Sequence, residues 1–164
     1  MKRAARSRLL LLLGVAVLIA LALWQWQRDE RTAPGTLLAL DPEAITAVTL
    51  QLGDAPAAHY VKRDGRWWRA DGQRVDDRYL DGLTAAAAAP VLQWRAASDF
   101  DAAKIGLAPP QAVLSLDGQR LAFGAMSATG PQCYVQVGAR VALVSLRFMP
   151  QAPRAEHVEL RGAH

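Results

Sequence analysis

The sequence contains one cysteine, Cys133, and three histidines among 164 residues. A lone cysteine excludes an intrachain disulfide and a cysteine-based metal cluster, and its position far from the N-terminus argues against a lipoprotein. His59 falls in a predicted strand without an acidic partner, and His157 and His164 fall near the C-terminus. The chain has no HExxH, GxSxG, P-loop or GxGxxG motif. We therefore expect no enzymatic activity, no cofactor and no metal site.

An excess of positive or negative charge is also missing from most of the chain. The 19 Lys and Arg residues exceed the 15 Asp and Glu residues by four. Four basic residues, Lys2, Arg3, Arg6 and Arg8, precede an apolar run. Without them the remainder has 15 basic and 15 acidic residues, a net charge of zero. The excess is thus local to the N-terminus, and no nucleic-acid partner is expected.

The apolar run extends from Leu9 to Trp24 and continues through Gln25 to Trp26. A helix of that length covers about 27 Å, close to the hydrocarbon thickness of a bilayer. Trp24 and Trp26 would lie at the membrane interface, and the basic start would remain cytoplasmic. Residues 1–27 are therefore predicted to be a single-pass anchor with its N-terminus inside. A signal peptide cleaved after Ala22 is the alternative, but the run continues past that point.

The rest of the chain is predicted to form a linker (28–36), an α+β domain (37–148) and a loosely structured tail (149–164). Asp76 or Asp77 would cap a helix over 76–90, and one or two helical turns are expected over 98–110. Alternating patterns and Asp-Gly turns predict eight strands, at 45–52, 59–63, 66–70, 91–96, 112–116, 120–123, 133–137 and 141–145. The predicted fold is a β-rich domain of antiparallel hairpins with one main helix, after an N-terminal transmembrane helix. The order of the strands stays open.

The stretch DGRWWRADG, residues 64–72, places Trp67 beside Trp68 in a predicted strand. Successive side chains in a strand point to opposite faces, so one indole belongs to the core. The other would lie beside Arg69, whose stem can cover its apolar face. We expect the outer indole and Arg69 to be candidate partner contacts.

Other polar groups have structural explanations. Asp76, Asp77 and Asp81 form an acidic cluster, but their place at a helix start is explained by capping. Cys133 shares a strand face with valines and is expected to be buried and inert. The loop containing Ser127 and Thr129 could touch a partner, as exposed loops often do.

The order of several short motifs resembles the domain-of-unknown-function 4340 family of bacterial membrane-anchored proteins. The motifs are LDPEAI with Asp41, Pro42 and Ile45, then Gly65 and Trp67, then GLAPP over 106–110. The similarity covers roughly residues 37–146. It implies a domain outside the bacterial inner (cytoplasmic) membrane, on its periplasmic side, accessory to an ABC-type export system. It also favours Trp67 as the core indole and Trp68 as the outer one, so that Trp68 and Arg69 are the candidate partner contacts. It carries over no catalytic or ligand residues.

Two functions follow as expectations. The first is an extracytoplasmic accessory protein that assembles with membrane-protein partners of an export or envelope complex, without catalysis. The second is a module that binds envelope glycan or lipid through the Trp67–Trp68 strand. The identity of the partner and the oligomeric state are left open.

Overall fold

The computed structural model describes residues 14–23 and 34–153, which fall in two units divided after Ala33. Residues 14–23 are α-helical (α1), and all ten are exposed. The rest of the predicted anchor, including Trp24 and Trp26, lies outside the described residues. Across 14–23 and 34–153, no helix combines the length and hydropathy that a membrane crossing needs.

The second unit contains one antiparallel sheet of eight strands in the order β3-β2-β1-β5-β6-β7-β8-β4. The strands are β1 (Ala47–Leu52), β2 (Ala58–Arg63), β3 (Arg66–Arg69), β4 (Val91–Ala96), β5 (Ala112–Leu116), β6 (Gln119–Met126), β7 (Gln132–Val137) and β8 (Arg140–Ser145). The β-rich domain of antiparallel hairpins is confirmed. Its two meanders join where β1 pairs with β5, and β4 pairs with β8 at the far edge.

Two Asp-Gly turns set the register of the hairpins, as their sequence predicts. Asp64 and Gly65 have φ values of 51° and 74°, and Asp117 and Gly118 have values of 46° and 85°. Positive φ at both central residues is the type I′ geometry, whose twist matches that of the flanking strands. Each turn therefore joins its two strands, β2 to β3 and β5 to β6, through only two residues.

The main helix is shorter than predicted. Helix α2 covers Asp77–Thr84, and a 3-10 helix follows over Ala85–Ala88 instead of a continuous helix to residue 90. The carbonyl oxygens of Ala87 and Ala89 accept hydrogen bonds from the backbone of Leu38 and Leu37, 3.0 and 3.1 Å away. These partners come from outside the helix, and Pro90 disfavours helical backbone at Ala89. The chain therefore leaves the helix early.

Strand β6 is longer than predicted, since residues 124–126 continue the strand instead of opening a loop. Met126 pairs with Cys133 across an irregularity in the β6–β7 ladder. In place of the helical turns expected over 98–110, the chain forms a 3-10 helix at Ala97–Asp99 and then a series of hydrogen-bonded turns. Gly106, with φ 69°, has the left-handed backbone conformation that glycine adopts without strain.

Side chains pack on both faces of the sheet. On one face α2 and residues 85–89 cover the main core, in which Trp67, Leu80, Leu114 and Phe123 are buried. On the other face, residues 97–107 cover a smaller cluster of Leu107, Ala122 and Val141. The outer face of the β2–β3 hairpin belongs to neither cluster, so its side chains are available for contacts.

Candidate functional site

The adjacent tryptophans lie on opposite faces of β3, as predicted. Trp67 is 1% exposed and packs in the main core. Its backbone N–H donates to Asp77 Oδ1 at 2.9 Å, and its indole Nε1 donates to Asp81 Oδ1 at 3.3 Å. Both bonds tie β3 to α2. Trp67 is therefore a structural residue, and of the two adjacent tryptophans it is Trp68 that can present its indole to a partner.

Trp68 is half-buried on the outer face of the sheet. The guanidinium carbon of Arg74 lies 5.8 Å from the centroid of its indole ring, within the range of a cation–π contact. Arg74 is held there by bonds to the carbonyl oxygen of Trp67 at 2.9 Å and to Asp77 Oδ1 at 2.8 Å. The cation that covers Trp68 is thus Arg74. The sequence had suggested Arg69 instead.

Arg69 points to the other face of β3. Its cross-strand partner is Tyr60, which is buried on the core side. The Arg69 side chain is itself exposed and forms an ion pair with Asp71, with Nε and Oδ2 3.2 Å apart. Trp68 and Arg69, which the sequence places together, therefore cannot contact the same ligand surface.

The acidic cluster at the start of α2 is structural in every member. Asp76 caps the helix by accepting from the Arg78 backbone N–H at 3.0 Å. The hydrogen bond from Arg74 and, after it, the hydrogen bond from the Trp67 backbone N–H are the main causes that lower the pKa of Asp77 to about 2. Asp81 accepts the Trp67 indole proton. Within residues 14–23 and 34–153, no three His, Cys, Asp or Glu side chains are grouped so as to hold a metal ion.

Cys133 is fully buried, and this burial raises the pKa of its thiol to about 11. A buried thiol that stays protonated at neutral pH is a poor nucleophile and metal ligand. The position therefore has a packing role.

Two side chains of the β6–β7 loop form a hydrogen bond with each other. Ser127 is 6% exposed, and its Oγ lies 2.9 Å from Thr129 Oγ1. Thr129 remains exposed. Strands β2, β1 and β5 separate β6 from β3 in the sheet, so this loop and Trp68 do not form one site.

Of the histidines, only His59 lies among the described residues. Its Nδ1 is 3.0 Å from Thr49 Oγ1, its cross-strand neighbour on the outer face. His157 and His164 lie outside the described residues. The His59 ring thus has an ordinary hydrogen-bonding role within the sheet.

Sequence reasoning missed the surface beside Trp68. Arg63 pairs with Arg66 and Val61 pairs with Trp68 across the β2–β3 hairpin. Cross-strand partners, and residues two apart on a strand, share a face. These four side chains form one outer surface, here called the hairpin patch. The two-residue Asp64-Gly65 turn was the available signal, since such a turn places its flanking residues opposite each other.

The hairpin patch carries two positively charged side chains. Arg63 and Arg66 are exposed, and in the described part of the chain neither has a carboxylate within ion-pair distance. Asp64 lies in the turn between them without pairing to either. Arg69, Arg74 and Arg95 all have acidic partners. The charge of Arg66 also helps to lower the pKa of Asp77, so this carboxylate acts on Arg66 at longer range than an ion pair. The patch therefore combines two guanidinium groups that form no ion pair with a half-buried indole.

No protein-family model matches the sequence, and no curated protein or solved structure is significantly similar to it.

Proposed function

We propose that this chain is an extracytoplasmic interaction protein, anchored in the bacterial inner membrane by residues 1–27 with its N-terminus in the cytoplasm. Its domain would assemble with membrane-protein partners and would not catalyse a reaction. The oligomeric state of such an assembly is not part of the proposal.

One observation carries this proposal. The described part of the apolar run, residues 14–23, is a helix whose apolar side chains, including Leu18 and Ile19, are exposed on every side. A helix that is apolar all round needs an apolar environment. The second unit has its own core, built from residues between Leu37 and Val144. Lipid is the environment that the length of the sequence run favours.

The site chemistry supports an interaction role. The carboxylates of Asp76, Asp77 and Asp81 are engaged in a cap, an ion pair and an indole hydrogen bond. The thiol of Cys133 is buried. Carboxylates can act in acid–base catalysis and a thiol in nucleophilic catalysis, but here these groups have structural roles. The choice of an export or envelope complex as the partner rests on the resemblance to the domain-of-unknown-function 4340 family.

Membrane fractionation tests the anchor. Membranes from cells that make the full chain are washed with alkaline carbonate, which releases peripheral proteins, and the mass of the retained chain is measured. We expect an intact chain in the pellet, because an apolar helix of about 27 Å is held by the bilayer. A chain that lacks residues 1–22 and appears in the soluble fraction would contradict the anchor.

In-cell crosslinking tests the interaction role. The full chain is crosslinked in intact cells, extracted in mild detergent and analysed for covalently attached proteins by mass spectrometry. The proposal expects adducts with integral membrane proteins of a transporter or envelope complex. The matched control is the same domain made with an unrelated anchor, which separates contacts of the domain from those of the anchor. Recovery of the chain only as an uncrosslinked monomer would contradict the proposal.

A further inference from the structure

We propose that the hairpin patch, formed by Val61, Arg63, Arg66 and Trp68, is the docking surface of the domain and takes an acidic segment of a partner protein. This inference deepens the proposed function and rests on it. It assigns both the face of the domain that meets the partner and the chemistry of the partner's contacting residues.

The charge arrangement is the first reason. Arg63 and Arg66 are direct cross-strand partners, and like charges in that position repel each other. In the described part of the chain no carboxylate forms an ion pair with either residue. An anionic group placed between the two guanidinium groups would relieve the repulsion and could bind both. Carboxylates suit this geometry because Arg binds them through two parallel hydrogen bonds.

The second reason is that the patch is already organised. The type I′ turn at Asp64-Gly65 fixes the register of the two strands. The indole of Trp68 is covered on one side by Arg74, which is held by Asp77 and by the carbonyl oxygen of Trp67. A surface that is rigid before binding loses less entropy when a partner docks.

The composition favours a protein partner. Tryptophan and arginine are the residues most enriched in the energetic centres of protein–protein interfaces. A sugar ring would need an open aromatic face, but Trp68 is half-buried and Arg74 occupies part of its surface. A partner strand cannot extend the sheet along the whole of β3, because residues 73–75 already bond to it. The patch therefore suits side-chain contacts from an acidic segment.

Peptide binding tests the inference. The full chain is placed in nanodiscs of neutral lipid, and a fluorescein-labelled peptide rich in glutamate is titrated against it and followed by anisotropy. A peptide of the same length with glutamine at each glutamate is the ligand control. We expect the glutamate peptide to bind, the glutamine peptide to bind more weakly, and added salt to weaken the binding, as screening requires.

The protein variants separate the patch from general charge. The variant Arg63→Gln with Arg66→Gln should weaken glutamate-peptide binding by about tenfold or more, since it removes two charge-assisted contacts. The matched control, Arg78→Gln with Arg120→Gln, removes the same charge from exposed arginines outside the patch. It should bind within about twofold of the original chain, because screened charges at a distance contribute little. Equal losses in the two double variants would overturn the inference.

Two competitors identify other occupants. Vesicles containing phosphatidylglycerol and the anionic glycan polygalacturonate are tested against the original chain and the patch variant. Tighter, patch-dependent binding of either than of the glutamate peptide would overturn the protein assignment. The outcome for the proposed function is separate. Failure of peptide binding in a chain that is still anchored and still crosslinks to membrane proteins contradicts only this inference, whereas release from the membrane contradicts the proposed function.

Discussion

The Asp77 carboxylate connects three elements. It accepts the backbone N–H of Trp67 on β3, it pairs with Arg74 in the connecting turn, and it begins helix α2. Through Arg74 it also fixes the cation over Trp68. A single carboxylate thus contacts the backbone of the core tryptophan and holds the cation that covers the outer one.

This arrangement predicts a dependence of stability on acid. The pKa of Asp77 in the folded chain is about 2, below its ordinary value of 3.8, chiefly because of the hydrogen bond from Arg74. As the pH falls through this interval, the unfolded chain takes up the proton first, so the folded state loses the contribution of Asp77. We expect the free energy of unfolding to fall between pH 4 and pH 2 more steeply in the original chain than in Asp77→Asn.

Urea denaturation of the full chain in mild detergent, repeated across that pH range, measures the difference. Asp54→Asn is the control, because it removes an exposed carboxylate that has no ion pair in the described part of the chain. Parallel pH dependences for the original chain and Asp77→Asn would show that the ion pair contributes nothing to acid sensitivity.

The segment over residues 97–107 approaches strand β6 closely at two glycines, Gly106 in the segment and Gly124 in the strand. A Cβ atom on Gly124 would clash with the carbonyl oxygen of Ile105 and would lie 3.0 Å from Leu107 Cγ. The same Ile105 carbonyl accepts the backbone N–H of Ala125 at 2.8 Å. The glycine therefore allows the segment to bond directly to the strand and to seal the smaller core.

Gly124→Ala should destabilise the domain by about 1–3 kcal/mol, the usual cost of forcing extra volume into a packed site. Gly130→Ala is the matched control. Its Cβ would meet nothing nearer than Gln132 Nε2 at 3.9 Å, and its backbone needs no positive φ. The control should stay within about 0.5 kcal/mol of the original chain. Urea midpoints of the two variants give the comparison, and equal midpoints would mean that the segment yields without cost.

Gly124 also shows where sequence reasoning stops. The period-2 pattern and the Asp-Gly turns are local signals, and they predicted all eight strands and the Asp64-Gly65 turn that joins β2 to β3. Gly124 was assigned to the loop between the predicted strands 120–123 and 133–137. Its partner, Ile105, is distant in the sequence, so no local pattern reveals the contact. The pairing of β1 with β5 was open for the same reason.

At the candidate site, too, the features that depend on local sequence were predicted and those that depend on distant contacts were missed. Alternation along a strand is a local signal and predicted that one of the two indoles faces outward, whereas the choice of Trp68 as the outer one came from the family resemblance. Its cover by Arg74 was missed because it depends on how the turn after β3 folds back, with Arg74 bridging to Trp68. Arg63 and Arg66 could have been placed on the same face from the turn length alone.

The second unit builds its core from its own residues, starting close to its first described position. Leu37 and Leu38 are 3% and 5% exposed and bond through their backbone to Ala89 and Ala87. They thereby join the start of the unit to the end of the helical layer. Residues before Pro34 belong to the other unit. The stability of the domain should therefore depend on where a truncation falls relative to these two leucines.

A fragment that begins at Pro34 should unfold in one transition with the same urea midpoint and slope as the domain in the full chain. A fragment that begins at Asp41 loses Leu37 and Leu38, and burial of each such side chain is worth about 1.5–3 kcal/mol. Together they amount to a large part of the 5–15 kcal/mol that stabilises a typical domain, so we expect a strongly lowered midpoint. Tryptophan fluorescence follows the transition, with Trp24 and Trp26 replaced by phenylalanine in the full chain so that the signal comes from the domain. If the Pro34 fragment were as unstable as the Asp41 fragment, the domain would depend on residues 1–33 for its fold, and the anchor could not be treated as a simple tether.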